Sequence, residues 1–174
     1  MRRTFIFSFL AVFLLTSGLG CKGLSQAQQD AIKPVELTYW RVFDDSDSMA
    51  EIISAYKQLH PQVSISYRKL LPDEFEKELI NALAEDRGPD IFSIQNTWIG
   101  KYQSKIAPMP ASVKSTFQSI EGTISKQLVV TTKTIPSLTV KQMKDNFVGV
   151  VAGDVVRRDG TTGEEKIWGL PLAV

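Results

Sequence analysis

The sequence predicts an α/β fold in which a parallel-rich sheet is flanked by helices. Two observations lead to this prediction. Residues 34–98 alternate between short β-forming segments and amphipathic segments of helical period, and this alternation is typical of a β-α-β-α-β unit. The last of the β-forming segments, Asp90–Ile94, is short and mostly apolar, as expected for a strand buried in a parallel sheet.

The first strand and helix are predicted from residue types and spacing. Pro34–Trp40 is rich in β-forming residues and alternates in polarity. Ser48 and Glu51 have the S-x-x-E spacing of a capping box, which predicts that a helix begins there. The apolar residues that follow fall on one helical face: Met49, Ile52, Ile53, Tyr56 and Leu59. His60-Pro61 is expected to end this helix.

A second strand and helix complete the unit. The segment Gln62–Leu70 alternates as a strand does, and Asp73 is positioned to cap the next helix. The predicted buried stripe of that helix consists of Phe75, Leu79, Ile80 and Leu83. Gly88 is expected to end the helix in the left-handed conformation, and Pro89 prevents its continuation.

The remaining segments give weaker patterns. Helix-like spacings occur in Ser112–Ile120 and Val140–Val156, whereas Leu128–Thr139 fits either a strand or a loop. Two Gly-containing turns are expected in a hairpin-like segment around residues 159–163. The apolar run Lys166–Val174 is expected to be another core strand.

The first twenty residues have the features of an export signal. Met1–Arg3 is positively charged, Thr4–Leu15 is apolar, and small residues lead to Cys21. Cys21 is the only cysteine, and its position directly after Gly20 is similar to that of the lipidated cysteine of bacterial lipoproteins. We therefore expect a signal peptide at residues 1–20, a lipidated cysteine and flexible tether at residues 21–34, and a folded lobe at residues 35–174.

Composition and motifs argue against several classes of function. The chain of 174 residues carries 20 basic and 19 acidic side chains, mixed along the sequence, so no basic stripe favours nucleic acid. The sole histidine, His60, is expected at a helix end or on the surface and not in catalysis. Asp44, Asp45 and Asp47 lack the glycine and glutamate of a calcium loop. We therefore expect no enzyme, no cofactor and no metal site.

Binding chemistry is better represented. Trp40, Phe43 and Asp44 follow the first strand. The polar and aromatic residues Asn96, Thr97 and Trp98 follow the third strand. In open α/β sheets, ligands bind beyond the carboxyl ends of the strands, so these six residues are the predicted ligand contacts. Trp40 as a core residue and Trp98 packed against the following helix are the alternatives.

The chain resembles the N-terminal part of family 1 extracellular solute-binding proteins, the sugar-binding lipoproteins of bacterial ABC importers. The resemblance depends on Leu37–Trp40, the helix from Met49 to Pro61, Gly88–Phe92 with its polar rim, and Trp168–Val174. It implies a type II periplasmic-binding fold of two lobes, in which Phe43, Asp44, Asn96 and Thr97 face the ligand. The family continues into a second lobe where this sequence ends, so the second lobe is expected to be missing here.

The resemblance also implies a function and partners. The expected protein is a monomeric receptor, anchored by lipid to the outer face of the cytoplasmic membrane, that delivers a small solute to ABC permease subunits. A sugar or oligosaccharide is the expected ligand. The alternatives are a lipid-anchored hydrolase that acts on glycans through carboxylates, and an extracytoplasmic sensor lobe.

Overall fold

A three-stranded parallel sheet organises the first half of the protein. The computed structural model describes residues 23–123 and 126–172. In it, β1 (Val35–Arg41) lies between β2 (Val63–Lys69) and β3 (Ile91–Phe92), so the strand order is β2-β1-β3. Both neighbours pair with β1 in parallel, and Tyr39 lies opposite Tyr67 on one side and Ile91 on the other. The predicted β-α-β-α-β unit is therefore present, with a third strand shorter than expected.

Helices cover the two faces of this sheet. The helix between β1 and β2 is α2 (Ser46–Leu59), and the helix between β2 and β3 is α3 (Pro72–Ala84). Phe75 and Leu79 of α3 pack with Trp40 in the first hydrophobic core. Successive side chains of a strand point to opposite faces, so Tyr39 and Arg41 lie on the face of the sheet opposite to Trp40. On that face the Arg41 guanidinium lies 3.8 Å from the sulfur of Met49 in α2. The protein is thus a mixed α/β structure with a small parallel sheet flanked by helices.

Helix α2 begins earlier than its sequence pattern predicts. Its N-cap is Asp45, whose side chain makes no capping hydrogen bond, and Ser48 lies inside the first turn. The predicted Ser48–Glu51 capping box is therefore wrong. Of the five residues on the predicted apolar face only Met49 is buried, whereas Ile52 and Leu59 are 61% and 60% exposed.

Helix α3 also differs from the prediction at both ends. Asp73 lies in the first turn and the N-cap is Leu71, so the predicted Asp73 cap is wrong. At the other end Asp86, with φ of 52°, takes the left-handed conformation expected of Gly88. The Arg87 amide then bonds to the Ala82 carbonyl at 2.8 Å, which is the bond of a Schellman motif. Gly88 is instead favoured by close packing, because a Cβ at this position would lie 2.5 Å from a methyl group of Leu83.

A long antiparallel ribbon follows the parallel sheet. Strands β4 (Ser112–Glu121) and β5 (Gln127–Pro136) pair over ten residues each, so the helix expected at Ser112–Ile120 is a strand. The ribbon contacts the end of α2, where His60 Nδ1 lies 2.9 Å from the Thr116 carbonyl and the His60 ring lies between Tyr56 and Phe117. A carbonyl only accepts, so Nδ1 carries the proton. His60 caps α2 as expected, but it is buried and not on the surface.

The C-terminal part forms a second hydrophobic core. It contains α5 (Val140–Asn146), α6 (Gly149–Val155) and the hairpin of β6 (Val156–Arg158) with β7 (Glu165–Ile167). The core consists of buried side chains from these elements and from the four-residue helix α4 (Ile99–Tyr102): Ile99, Met143, Ala152, Val155 and Ile167. The two expected glycine turns fall within this hairpin. The strand expected at residues 166–174 ends at Ile167, and Leu170 and Leu172 are about 60% exposed.

The N-terminal segment contains a short helix. Within the predicted tether, α1 (Gln26–Ala31) is capped by Ser25 in a capping box with Gln28. The Gln28 amide also donates to the Val130 carbonyl of β5 at 3.3 Å. The predicted signal peptide, Cys21 and residues 173–174 lie outside the described residues. No helix in the described ranges is long and apolar enough to span a membrane.

Candidate functional site

The strand order predicts a ligand-binding crevice at one edge of the parallel sheet. From β1 the chain crosses over one face to β2, and from β2 it crosses over the other face to β3. After β1 the chain enters α2 on one face, whereas Trp98 and Tyr102, which follow β3, pack with Phe75 and Leu79 of α3 on the other face. The segments that leave the carboxyl ends of β1 and β3 therefore diverge toward opposite faces. This divergence between neighbouring strands is a topological switch point, the place where open α/β sheets bind ligands. Two segments border the crevice: Val42–Asp45 after β1, and Ser93–Trp98 after β3.

The β1 side of the crevice carries an ion pair and a half-buried hydroxyl. Arg41 and Asp44 form a close salt bridge, in which the arginine side chain is mostly buried. The Tyr67 hydroxyl donates to the Asp44 carbonyl at 2.5 Å. Burial raises the pKa of Tyr67, and the Asp44 carboxylate adds to this effect while Arg41 opposes it. The Asp44 backbone and side chain are thus both fixed by neighbouring strands.

Lys69 secures the next position of the same loop. It forms a close salt bridge with Asp45, and this hydrogen bond raises the pKa of Lys69. The three carboxylates that the sequence places here are therefore not gathered into a metal site, since Asp44 and Asp45 each pair with a cation. No group of three or more histidine, cysteine or acidic side chains that could hold a metal ion occurs in residues 23–123 and 126–172.

Two side-chain contacts hold β3 against β1. The Tyr39 hydroxyl and Ser93 Oγ lie 2.7 Å apart across the strand pair. At the start of β3, the Asp90 carboxylate accepts hydrogen bonds from the Thr38 amide at 2.7 Å and from the Thr38 hydroxyl at 2.9 Å. These bonds, the backbone one first, lower the pKa of Asp90. A strand with only two paired residues is thereby held in register, which fixes the polar segment that follows it.

The β3 side of the crevice is linked to the C-terminal part of the protein. Asn96 begins a 3₁₀ helix (Asn96–Trp98), and its amide donates to the Asp154 carboxylate of α6 at 2.6 Å. Thr97 is exposed, and its side chain is available to solvent. Val150, four residues before Asp154 on α6, lies on the same side of that helix and is 75% exposed.

The two tryptophans among the predicted contacts lie mainly in packing positions. Trp40 is 9% exposed, and the Arg68 guanidinium lies 4.8 Å from its ring centre. Trp98 is half-buried, with its ring 6.1 Å from that of Tyr102 in α4. Trp40 thus has the surroundings of a core tryptophan, and Trp98 packs against the helix that follows it. The binding role of both residues stays a prediction.

The structure thus divides the six predicted contacts. Phe43, 73% exposed, and Asp44 lie after β1. Asn96 and Thr97 lie after the neighbouring strand β3, so these four residues follow two adjacent strand ends, and their role in binding stays a prediction. Trp40 lies beneath the crevice in the core, and Trp98 packs at the side of the crevice.

Several residues that shape the crevice were not predicted from the sequence: Arg41, Tyr67, Ser93 and Asp154. Ser93 and Asp154 each interrupt an apolar run, and such an interruption is a usable signal. Tyr67 belongs to the alternating segment Gln62–Leu70, but nothing local connects it to Asp44, which is 23 residues away. The link from Asn96 to Asp154 spans 58 residues and has no local signal either.

Comparison with known proteins gives little further information. No family model matches the chain, and no curated protein matches it. Among solved structures, it is similar to an extracellular solute-binding protein family 1 from Alicyclobacillus acidocaldarius subsp. acidocaldarius DSM 446, with 19% identity and a TM-score of 0.38. The match covers 44% of this chain and 20% of that protein, so it spans only a fifth of the solved chain. A similarity at this level establishes neither a shared function nor a shared ligand.

Proposed function

We propose that this chain is the N-terminal lobe of an exported solute-binding protein and that its crevice forms part of a binding site for a sugar or oligosaccharide. The observation that supports the proposal best is the switch point between β1 and β3, bordered by Phe43 and Asp44 on one side and by Asn96 and Thr97 on the other. In the proposal the fold is of the type II periplasmic-binding kind, and a second lobe would supply the other wall of the site.

The side chains at the crevice suit a sugar. Sugars present apolar CH faces and many hydroxyls, so their sites combine exposed aromatic rings with carboxylates and amides. Phe43 provides the exposed ring, and Asp44 and Asn96 provide the polar groups. Trp40 and Trp98 are included in the proposed site as the packed residues that support these contacts from below and from the side.

The proposal extends to location and partners. The N-terminal sequence has the pattern of an export signal followed by Cys21, and acyl chains on that cysteine would hold the protein at the outer face of the cytoplasmic membrane. The monomeric receptor would pass its solute to ABC permease subunits. It would catalyse no reaction itself, and ATP hydrolysis would belong to those partners.

Titration calorimetry of the purified chain with maltose and maltotriose tests the proposal. The variant Asp44→Ala removes a carboxylate at the crevice, and we expect it to weaken binding by about 10-fold or more, since hydrogen bonds to charged groups contribute about 1.5–3 kcal/mol. Asp47→Ala is the matched control, because Asp47 is exposed in the first turn of α2 and forms no ion pair among the described residues.

Thermal melting of both variants checks that Asp44→Ala still folds without its Arg41 partner. If a folded Asp44→Ala protein bound the saccharides as tightly as the Asp47→Ala control, Asp44 would not be a contact. Binding of a solute of another class by the unaltered chain, with no binding of either saccharide, would count against the proposed ligand class.

A further inference from the structure

We infer that the outer edge of β5 is a strand-pairing surface, that α1 covers it, and that the uncovered edge pairs with the same edge of a second copy of this chain. The inference does not depend on the proposed function, because it concerns the ribbon of β4 and β5 and not the crevice. It assigns a role to the short helix of the N-terminal segment, which the sequence predicts to be a tether.

The register of the ribbon decides which backbone groups of β5 point away from β4. In an antiparallel pair, residues alternate between those that bond to the partner strand and those whose N–H and C=O face outward. The bond from the Ser137 amide to the Ala111 carbonyl, just beyond the ends of the two strands, sets this alternation. Four residues of β5 with an N–H and a C=O therefore face outward: Leu128, Val130, Thr132 and Thr134.

The opposite edge of the ribbon is occupied by the link between α2 and β2. The Thr116 carbonyl of β4 faces outward, and it accepts hydrogen bonds from His60 at 2.9 Å and from the Gln62 amide at 3.2 Å. The Gln118 amide also donates to the Gln62 side chain at 3.0 Å. The middle of the β4 edge is therefore closed to another strand, which leaves the edge of β5 as the one to be covered.

Helix α1 contacts the middle of that edge. The Gln28 amide donates to the outward-facing Val130 carbonyl at 3.3 Å, and Val130 is only 6% exposed. The half-buried residues in and beside α1 recur with helical spacing, so one side of the helix is covered: Leu24, Gln28, Ala31 and Ile32. Helix α1 has only six residues and none of them is fully buried. Because a helix of this length is marginally stable by itself, α1 is a cover that is easily displaced.

The edge beneath α1 has the properties of a strand that pairs readily. Residues 128–135 are rich in β-branched side chains and contain one charged residue, Lys133. An exposed edge of this kind is a template for another strand. While α1 covers Val130, the outward-facing run is interrupted, and Pro136, which has no N–H, ends it at the other side. Displacement of α1 makes the run continuous from Leu128 to Thr134.

A second copy of the chain supplies a matching strand. With a two-fold axis at Thr132, two antiparallel β5 strands join identical edges, so the interface is self-complementary. This axis places Lys133 of each copy opposite Thr131 of the other, so the two like charges are not directly opposed. The two ribbons then form one sheet of four strands, which is more stable than two separate pairs of strands.

The test is sedimentation velocity of the purified chain with two glutamine-to-proline variants of α1. Gln29→Pro removes the amide that bonds to the Ser25 carbonyl at 2.9 Å and disfavours the helical conformation of Gln28, so α1 unwinds. We expect this variant to form a dimer with an association constant about 10-fold or more above that of the unaltered chain. Gln26→Pro is the matched control, because Gln26 is the first residue of α1, where proline is tolerated, and Ser25 before it is already extended. We expect this control to sediment as the unaltered chain does.

A second substitution locates the interface on β5. Thr132→Pro removes an outward-facing N–H and no bond to β4, and proline is tolerated on an edge strand. Combined with Gln29→Pro, it should restore the monomer, whereas the Thr132 amide of Gln29→Pro alone should gain protection from hydrogen exchange in the dimer. Gln28→Gly, which removes the bond to Val130, carries the test if Gln29→Pro does not fold, and Thr134→Pro does so for Thr132→Pro.

Each result decides the inference. A dimer of folded Gln29→Pro that dissociates in the double variant supports it. Equal sedimentation of folded Gln29→Pro and the Gln26→Pro control would overturn it, and so would a dimer that persists in the double variant. Assemblies larger than a dimer would overturn the two-fold pairing. Saccharide binding at the crevice is measured separately, so the proposed function stands or fails without regard to these results.

Discussion

The depth of burial along α3 gives a sharp test of the fold, because sequence and structure disagree about one position. The sequence pattern places Leu79 and Ile80 together in the buried stripe. In the structure Leu79 is fully buried at 0% exposure in the first core, whereas Ile80 is 46% exposed. Each residue loses three carbon atoms when changed to alanine, and a fully buried methylene contributes about 0.8 kcal/mol. Leu79→Ala therefore loses about 2.4 kcal/mol of transfer free energy plus a cavity term, for about 3 kcal/mol in total.

Ile80→Ala is the matched control on the same helix. Only about half of the Ile80 side chain is removed from water, and no enclosed cavity forms, so we expect a loss of about 1 kcal/mol. Urea unfolding followed by far-UV circular dichroism measures both values. Thermal melting should show a decrease of about 6–12 °C for Leu79→Ala, given about 2–4 °C per kcal/mol at this chain length. Equal losses for the two variants, or a larger loss for Ile80→Ala, would refute the described packing of α3 on the sheet.

Two further predictions concern loops. Gly88→Ala should lower the midpoint of urea unfolding, because the added Cβ would lie 2.5 Å from Leu83. Asp86→Gly should leave that midpoint unchanged or raise it, because glycine adopts the φ of 52° at this position without strain. A lower midpoint for Asp86→Gly than for Gly88→Ala would contradict the described end of α3. The hydrogen bond from Lys166 and the amides of residues 161 and 162 lower the pKa of Asp159 from 3.8 to about 2. The contribution of the Asp159 carboxylate to the free energy of unfolding is therefore present above pH 4 and is lost as the pH falls toward 2. In acid titrations, Asp159→Asn should flatten that part of the profile of stability against pH. An unchanged profile would exclude a stabilising role of the Asp159 carboxylate.

Local sequence patterns were sufficient for the parallel unit. The alternation in β1 and β2 and the apolar stripe of α3 depend on contacts close in sequence or on simple burial, so period and residue type reveal them. The approximate ends of these elements were also predicted. The N-cap of α2 and the left-handed residue after α3 were not predicted, because Asp45 and Asp86 take these positions through backbone conformation and without a diagnostic side-chain bond.

The ribbon and the second core could not be read in the same way. Val113, Phe117 and Ile120 have helical spacing, but the segment pairs with β5 over ten residues, and this long-range pairing outweighs the local pattern. At the crevice, too, local patterns predicted some positions, and long-range contacts decided others. Phe43, Asp44, Asn96 and Thr97 follow two adjacent strands, as the predicted strands imply, whereas their contact with a ligand stays a prediction.

Asp154 lies 58 residues from its partner Asn96, and only the fold brings the two together. Every proposed ligand contact therefore depends on the arrangement of residues at the switch point between β1 and β3.

The most direct test of that arrangement is an amide NMR titration of the purified chain with maltotriose. We expect saturable shift changes concentrated in the segments after β1 and β3, residues 42–45 and 93–98, and around Asp154, with little change in the ribbon of β4 and β5. Saturable changes confined to the ribbon or to the exposed face of α2, with none at the strand ends, would contradict the proposed site.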